Sequence, residues 1–232
     1  MATAASPASP NVSQLASKST RKMPRRDDAA RAHLQEVGRA TRPVSLAHER
    51  ALELGPALAS LVPRGSVARG SVVRVAGASG AGVTSLGLEL AAACTKAGEW
   101  VAAVDPAGSF GALAAQEAGV TLERFAVVRR VPPARWASVV AALLDGVTLV
   151  LADLPPEGVG VADGRRLVAR ARERETVLVV GDRWPADAAL TLRARAAEWV
   201  GRGEVHHLTE RRLLVHAEAP AGAREGWLAR AV

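Results

Sequence analysis

Gly77-Ala78-Ser79-Gly80-Ala81-Gly82-Val83-Thr84 satisfies the pattern G-x-x-x-x-G-K-[ST] at every defined position but one. In such a loop, backbone N–H groups cradle phosphates, the lysine reaches the terminal phosphates and the Ser/Thr hydroxyl holds Mg²⁺. Here Val83 stands at the lysine position. Gly77, Gly80 and Gly82 keep the backbone shape, and Thr84, followed by Ser85, keeps the metal hydroxyl. A helix starting at this loop would still carry about half an elementary charge at its N-terminus. That suffices for weak anion binding but supplies no ammonium for phosphoryl transfer.

The rest of the chain offers little to replace it. Lysine occurs only at Lys18, Lys22 and Lys96, and no arginine lies in the loop. Lys96 is twelve residues beyond Thr84 on the same expected helix, so it sits roughly 18 Å away at about 1.5 Å per residue. A carboxylate, Asp153, closes the apolar run Thr148-Leu149-Val150-Leu151-Ala152, a Walker B-like arrangement in which the acid would hold Mg²⁺ or its water. Its alternative role is to cap the sheet edge or the next turn. A water-activating glutamate would fall after Val104-Asp105-Pro106, where the chain has Ala107. Lysine and base are both replaced by apolar residues, so the sequence predicts a pseudo-ATPase with no catalytic residue. It needs no cofactor, and ATP and Mg²⁺ would bind weakly if at all.

Alternating elements must position these groups. Ser71 to Ala76 is β-branched and predicts a strand; Ser85 to Ala93 predicts the helix after the loop. Further strands are expected at Trp100–Asp105, Phe125–Arg129, Val147–Asp153 and Thr176–Val180. Helices are expected near Phe110–Glu117, at Pro133–Leu144 and at Asp163–Arg174. Near-continuous apolar strands alternating with helices imply an α/β fold with a mostly parallel central sheet flanked by helices. After Trp184, three short strands (Leu192–Val200, Glu204–Leu208, Arg211–His216) suggest an antiparallel C-terminal edge.

Four regions are expected. Residues 1–26 read as a disordered basic tail and 27–62 as a helical segment, with helices at Ala29–Val37 and Leu46–Ser60. Residues 63–218 form the core, and 219–232 a flexible C-terminal tail. In that tail Trp227 and Leu228 are a candidate docking segment for a protein partner, an idle tail being the alternative. Trp100 is expected in the core, as is Cys94, the one cysteine. His206 and His207 would point to opposite faces of a strand and make poor joint metal ligands. The arginines of Asp163–Arg174 read as a solvated face offset by Asp163, Glu173 and Glu175. No apolar run is long enough for a membrane span and no secretory h-region opens the chain, which predicts a cytoplasmic protein. The net charge of +7 permits contact with nucleic acid, for which the basic N-terminal tail is the candidate arm.

From Leu46 to Val215 these residues resemble the RecA-like core. Pro63-Arg64-Gly65-Ser66 with Gly70-Ser71-Val72-Val73 is similar to that family's approach to its first strand. Gly77–Thr84 is similar to its phosphate loop with the lysine replaced, and Val104-Asp105-Pro106-Ala107 to its strand end with the glutamate lost. Ala118–Arg124 is similar to the segment before its third strand, and Leu149–Asp153 to its acid-ended strand. Within that superfamily the chain most resembles the short ImuA-type (ImuA-prime) proteins. The resemblance implies a RecA-like P-loop core and a non-catalytic accessory role in SOS-type, DNA-damage-induced mutagenesis and translesion synthesis. The implied partners are an inactive ImuB-type Y-family polymerase homologue and an error-prone replicative-type polymerase, with association with the nucleoid after damage. A ParA/MinD-like ATPase, an ATPase completed by an arginine or by a partner's lysine, and a plain DNA-binding protein are the alternatives.

Overall fold

The computed structural model describes residues 51–202 and 207–231. The expected helix at Ala29–Val37 and His206 lie outside them. A short hairpin-like pair comes first: β1 (Ala51–Glu53) pairs antiparallel with β2 (Ser66–Ala68), and α1 (Pro56–Leu61) lies between them in sequence. Within its described part, the expected helix over Leu46–Ser60 is found only over Pro56–Ser60; Ala51–Glu53 is a strand. Gly55-Pro56 breaks the helical pattern, because proline suits only the first turn of a helix. Leu52, Leu58 and Leu61 join the main core, so residues 51–62 pack with the domain rather than forming a separate segment.

The central sheet has eight strands. They are β3 (Val72–Gly77), β4 (Val101–Asp105), β5 (Phe125–Arg129), β6 (Leu149–Ala152), β7 (Val177–Val180), β8 (Leu190–Arg202), β9 (His207–Ala219) and β10 (Gly222–Ala231). Their order across the sheet is β10-β9-β8-β3-β7-β6-β4-β5. The strands from β8 to β5 run parallel, and β9 is antiparallel to both β8 and β10.

Right-handed crossovers place the helices. From β3 the chain passes through α2 (Val83–Lys96) to β4, then through α3 (Ala112–Glu117) to β5, moving toward one edge. It then reverses, through α4 (Pro133–Leu144) to β6 and α5 (Val161–Glu173) to β7. Reversal of direction with constant hand moves the helices to the other face. Two apolar layers result. Leu86 and Leu90 of α2 pack with Val73, Val101, Leu149 and Val179 on one face. Trp136, Val140 and Leu144 of α4 pack with Val104, Val150, Leu178 and Val180 on the other. β6 and β7 are buried along their whole length, which explains their unbroken apolar sequences.

The C-terminal part departs from expectation. Three short strands become two long ones, with Thr209-Glu210 inside β9, and the expected flexible tail is β10, paired with β9 from Gly222 to Ala231. Leu228 is buried against the α2 layer. Trp100, expected in the core, precedes β4 and is 49% exposed, with the Arg124 guanidinium 5.9 Å from its ring centre. Cys94 is fully buried as expected, and burial pushes its thiol up to about 12. Among the described residues no helix is long and apolar enough to cross a membrane.

Replacing Leu228 separates a strand from a tail. A buried leucine cut back to alanine costs about 2–5 kcal/mol, so Leu228→Ala should lower the unfolding free energy by that amount and the urea midpoint in proportion. An unchanged midpoint would restore the flexible-tail reading.

Candidate functional site

The turn from β3 into α2 is held by packing as much as by its own hydrogen bonds. Ala81 N donates to Ala78 O at 3.0 Å, and Leu86 N donates the first intrahelical bond, to Gly82 O at 3.0 Å. Gly82 has φ +104, in the left-handed region, and a Cβ there would lie 2.6 Å from Leu213 Cδ2 of β9. A Cβ on Gly77 would lie 2.9 Å from Ala194 O of β8. Gly77 is therefore required by the backbone of β8 and Gly82 by its left-handed φ, whatever the loop binds. Gly80, with φ +78 and nothing within 4 Å of its Cβ position, answers to the turn alone.

The lysine position has become part of the core. Val83 is half-buried and packs against the α2 layer; its Cγ2 is 3.1 Å from the Cβ position of Gly77. Thr84 is exposed and Ser85 half-buried. Val83 and Thr84 share a cleft of about 80 Å³ with Phe110, Leu151, Asp153 and Val179. Ligand pockets usually enclose about 300–1,000 Å³. The cleft is small by that measure, and apart from Thr84, Ser109 and Asp153 its lining side chains are apolar.

Asp153 and Thr84 are the two expected metal-binding groups that the fold does bring together. Asp153 N donates to Val104 O at 3.0 Å, and Trp136 Nε1 donates to Asp153 O at 2.7 Å, which fixes the backbone. The carboxyl is pushed above its ordinary value, first by burial and then by repulsion from Asp105; the Leu154 backbone N–H and the Arg183 charge act against the shift. Asp105 has a structural task. It is fully buried, accepts from the backbone N–H groups of Ser109 (2.8 Å) and Phe110 (3.0 Å), and pairs with Arg129 at 3.5 Å. Its carboxylate thereby caps the turn that contains Ala107, the residue at the expected base position, which is exposed.

The cation nearest the loop is one that reading along the chain did not find. Arg211 of β9 donates from Nη1 to Ser85 Oγ at 3.0 Å and from Nη2 to Gly80 O at 3.5 Å. Its guanidinium carbon lies 5.2 Å from the ring centre of Trp199, its cross-strand partner on β8. Arg211 lies over a hundred residues from the loop in sequence, so only the pairing of β8 with β9 brings it there. Lys96 sits at the far end of α2, with Nζ 2.7 Å from the Cβ position of Gly119. Leu228 and Trp227, expected to act together, fall on opposite faces of β10. Leu228 is buried, and Trp227 is 45% exposed opposite Leu214.

Residues 60–186 match the family model described as the MT3502 N-terminal domain. The match covers more than half of the chain and includes the loop and Asp153, but not Arg211. The uncharacterized protein Rv3395c of Mycobacterium tuberculosis is 40% identical over 101 residues, 44% of this chain and 48% of that protein. The match thus spans about half of that relative's length.

The raised pKa of Asp153 has a consequence for stability. A folded carboxyl with a raised pKa binds more protons than the unfolded one, so stability falls as pH climbs from the ordinary carboxylate range through the raised value. Asp153→Asn removes that loss. The variant should unfold at higher urea than the parent at neutral pH, and the two midpoints should converge in acid below the ordinary aspartate pKa. A variant less stable at neutral pH would mean that the carboxylate is held by a favourable partner.

Proposed function

The chain belongs to the MT3502 N-terminal domain family, and we propose that it is a RecA-like accessory protein that works through protein contacts and does not hydrolyse ATP. The single observation that carries this reading is the filled lysine position. Val83 is folded into the apolar layer beside a cleft of about 80 Å³, with Ala107 at the position of the base. What remains of a phosphate site is its turn geometry, and that geometry is required by Ala194 and by the left-handed φ of Gly82.

The RecA-like assignment is supported by the placement of the parts. The loop follows a central strand, β3, and the Asp153-bearing strand β6 lies one strand away, beyond β7. Both end on the same side of a parallel sheet, where ligands of open α/β sheets bind. The antiparallel β9 on the other flank agrees with the C-terminal edge expected of that core. The resemblance noted above extends the proposal to DNA-damage-induced translesion synthesis. An ImuB-type polymerase homologue and an error-prone replicative-type polymerase would be the partners, and the basic N-terminal tail a DNA contact.

If only the lysine were missing, Val83→Lys would restore turnover. It should instead leave phosphate release at background, because the cleft and the base position are also altered. Affinity capture of the full chain from cells after DNA damage should recover polymerase-type proteins. Brisk hydrolysis by Val83→Lys, or recovery of cell-division or partition proteins, would contradict the proposal.

A further inference from the structure

A larger cleft, of about 610 Å³, opens at the opposite end of the sheet, beside the amino end of β3. One wall is α5, which presents Val161, Arg165, Val168 and Arg172 to it. These are residues i, i+4, i+7 and i+11, a single helical stripe. The other wall is the segment from Pro185 to Ala189, which includes Asp187, and the floor is the turn before β3.

The walls are fixed by specific contacts. Arg74 of β3 donates from Nη2 to Ala186 O at 2.8 Å and to Trp184 O at 3.4 Å, which anchors the second wall to the sheet. A Cβ on Gly164 would lie 2.9 Å from Pro185 Cγ, so α5 and that wall touch. A Cβ on Gly70 would lie 3.1 Å from Arg172 Cα, so the floor seats directly on the helix. The cleft is preformed, and a ligand would bear little of the cost of ordering it.

Its charges are the unusual part. The other arginines of α5 are paired. Arg166 bonds Asp163, and Arg170 and Arg174 both bond Asp145, through Nε at 2.9 and 3.0 Å. Arg69 at the floor pairs with Glu99 at 2.9 Å. Arg165 and Arg172 have no ion-pair partner among the described residues. The expected solvated face offset by Asp163, Glu173 and Glu175 is refined: the partner of two arginines is Asp145 of the α4–β6 turn, and the two arginines without an ion pair among the described residues are the ones that line the cleft.

Seven helical residues separate Arg165 from Arg172, about 10 Å along the axis. Val168 lies on the same stripe between them, and Val161, 51% exposed, lies at one end. One small anion cannot reach both guanidinium groups. A nucleic-acid strand would find no aromatic face here and would meet Asp187 on the far wall, whereas the apolar side chains ask for apolar partners. The matching object is a peptide with two carboxylates about 10 Å apart and an apolar side chain between them. In a helix that is a spacing of seven residues; in an extended peptide, whose same-face side chains recur at every second residue, the spacing that also leaves an apolar side chain between the acids on one face is four, about 13 Å.

We infer that this cleft is a docking groove for an acidic, partly apolar segment of a partner protein. The inference deepens the accessory-protein reading and rests on it for the existence of a partner. The groove is at the end of the sheet remote from the loop, so the two can fail separately.

The test is a random twelve-residue peptide display library selected on the immobilised full chain. Enriched peptides should carry two acidic residues at one of the two spacings, with an apolar residue between them. A synthetic, fluorescein-labelled copy of the most enriched peptide should bind in solution by anisotropy. The double variant Arg165→Glu/Arg172→Glu should weaken it by at least about tenfold. Arg166→Glu, whose arginine already pairs with Asp163, should change it by less than about twofold. Circular dichroism and urea midpoints show whether each variant is folded, and Arg165→Gln/Arg172→Gln serves if charge reversal unfolds the chain. Enrichment of peptides without acids, binding unchanged by either double variant, or displacement of the peptide by single-stranded oligothymidine would overturn the inference. None of these results bears on hydrolysis by Val83→Lys, which tests the loop alone.

Discussion

The carboxyl end of this sheet depends on how closely the turn after β3 approaches β8 and β9. A side-chain carbon at Gly77 would meet Ala194 O of β8, and one at Gly82, whose φ is left-handed, would push on the Leu213 methyls of β9. That closeness fixes where α2 begins and how its apolar residues meet the sheet. It also lets Arg211 reach across to Ser85 and Gly80. A glycine loop is usually read as a device for bringing backbone N–H groups to phosphate. Here the same glycines are explained by protein packing, and the valine among them strengthens the packing at the expense of the charge.

The site behaves as a core that has grown outward. Val83 adds to the apolar layer beneath the loop, and Phe110 closes the cleft that Val83 and Thr84 share with Asp153. Asp105, which ends β4, is wholly occupied in capping its own turn and in pairing with Arg129. Asp153 is the one carboxylate left at the strand ends with a raised proton affinity, and burial is the main cause. Burial and the neighbouring Asp105 disfavour its charge. Val83 and Ala107 stand at the expected lysine and base positions, Asp105 is engaged by its own turn and Asp153 is desolvated, while Thr84 keeps an exposed hydroxyl.

Much of the parallel half was legible in the sequence because its signals are local. Phe125–Arg129 and Pro133–Leu144 have the bounds expected, since a proline sets the start of α4 and turn residues frame β5. The buried strands β6 and β7 announce themselves by unbroken apolar runs. The C-terminal half was not legible for a physical reason. One face of β8–β10 is open and carries charge, as in Arg212, Glu210 and Glu225, so the alternation is diluted by polar residues. β10 contains Gly222 and Gly226, which read as tail. Gly226 is nonetheless demanded by Leu61, whose Cδ2 lies 2.6 Å from its Cβ position. The pairing that brings Arg211 to the loop is long-range and leaves no local mark. Likewise, the arginine pattern of α5 could be counted from sequence, but which arginines find Asp145 depends on the packing of α4 against α5.

The central claim is that the loop is a packed turn and no longer a nucleotide site. The most direct measurement is the thermal unfolding midpoint of the full chain with and without 1 mM Mg·ATP, because a ligand that binds only the folded state raises that midpoint. The account predicts a shift of less than about 1 °C. A shift of about 5 °C or more would correspond to binding with a Kd of roughly tens of micromolar or tighter for a domain of this size, and would contradict it.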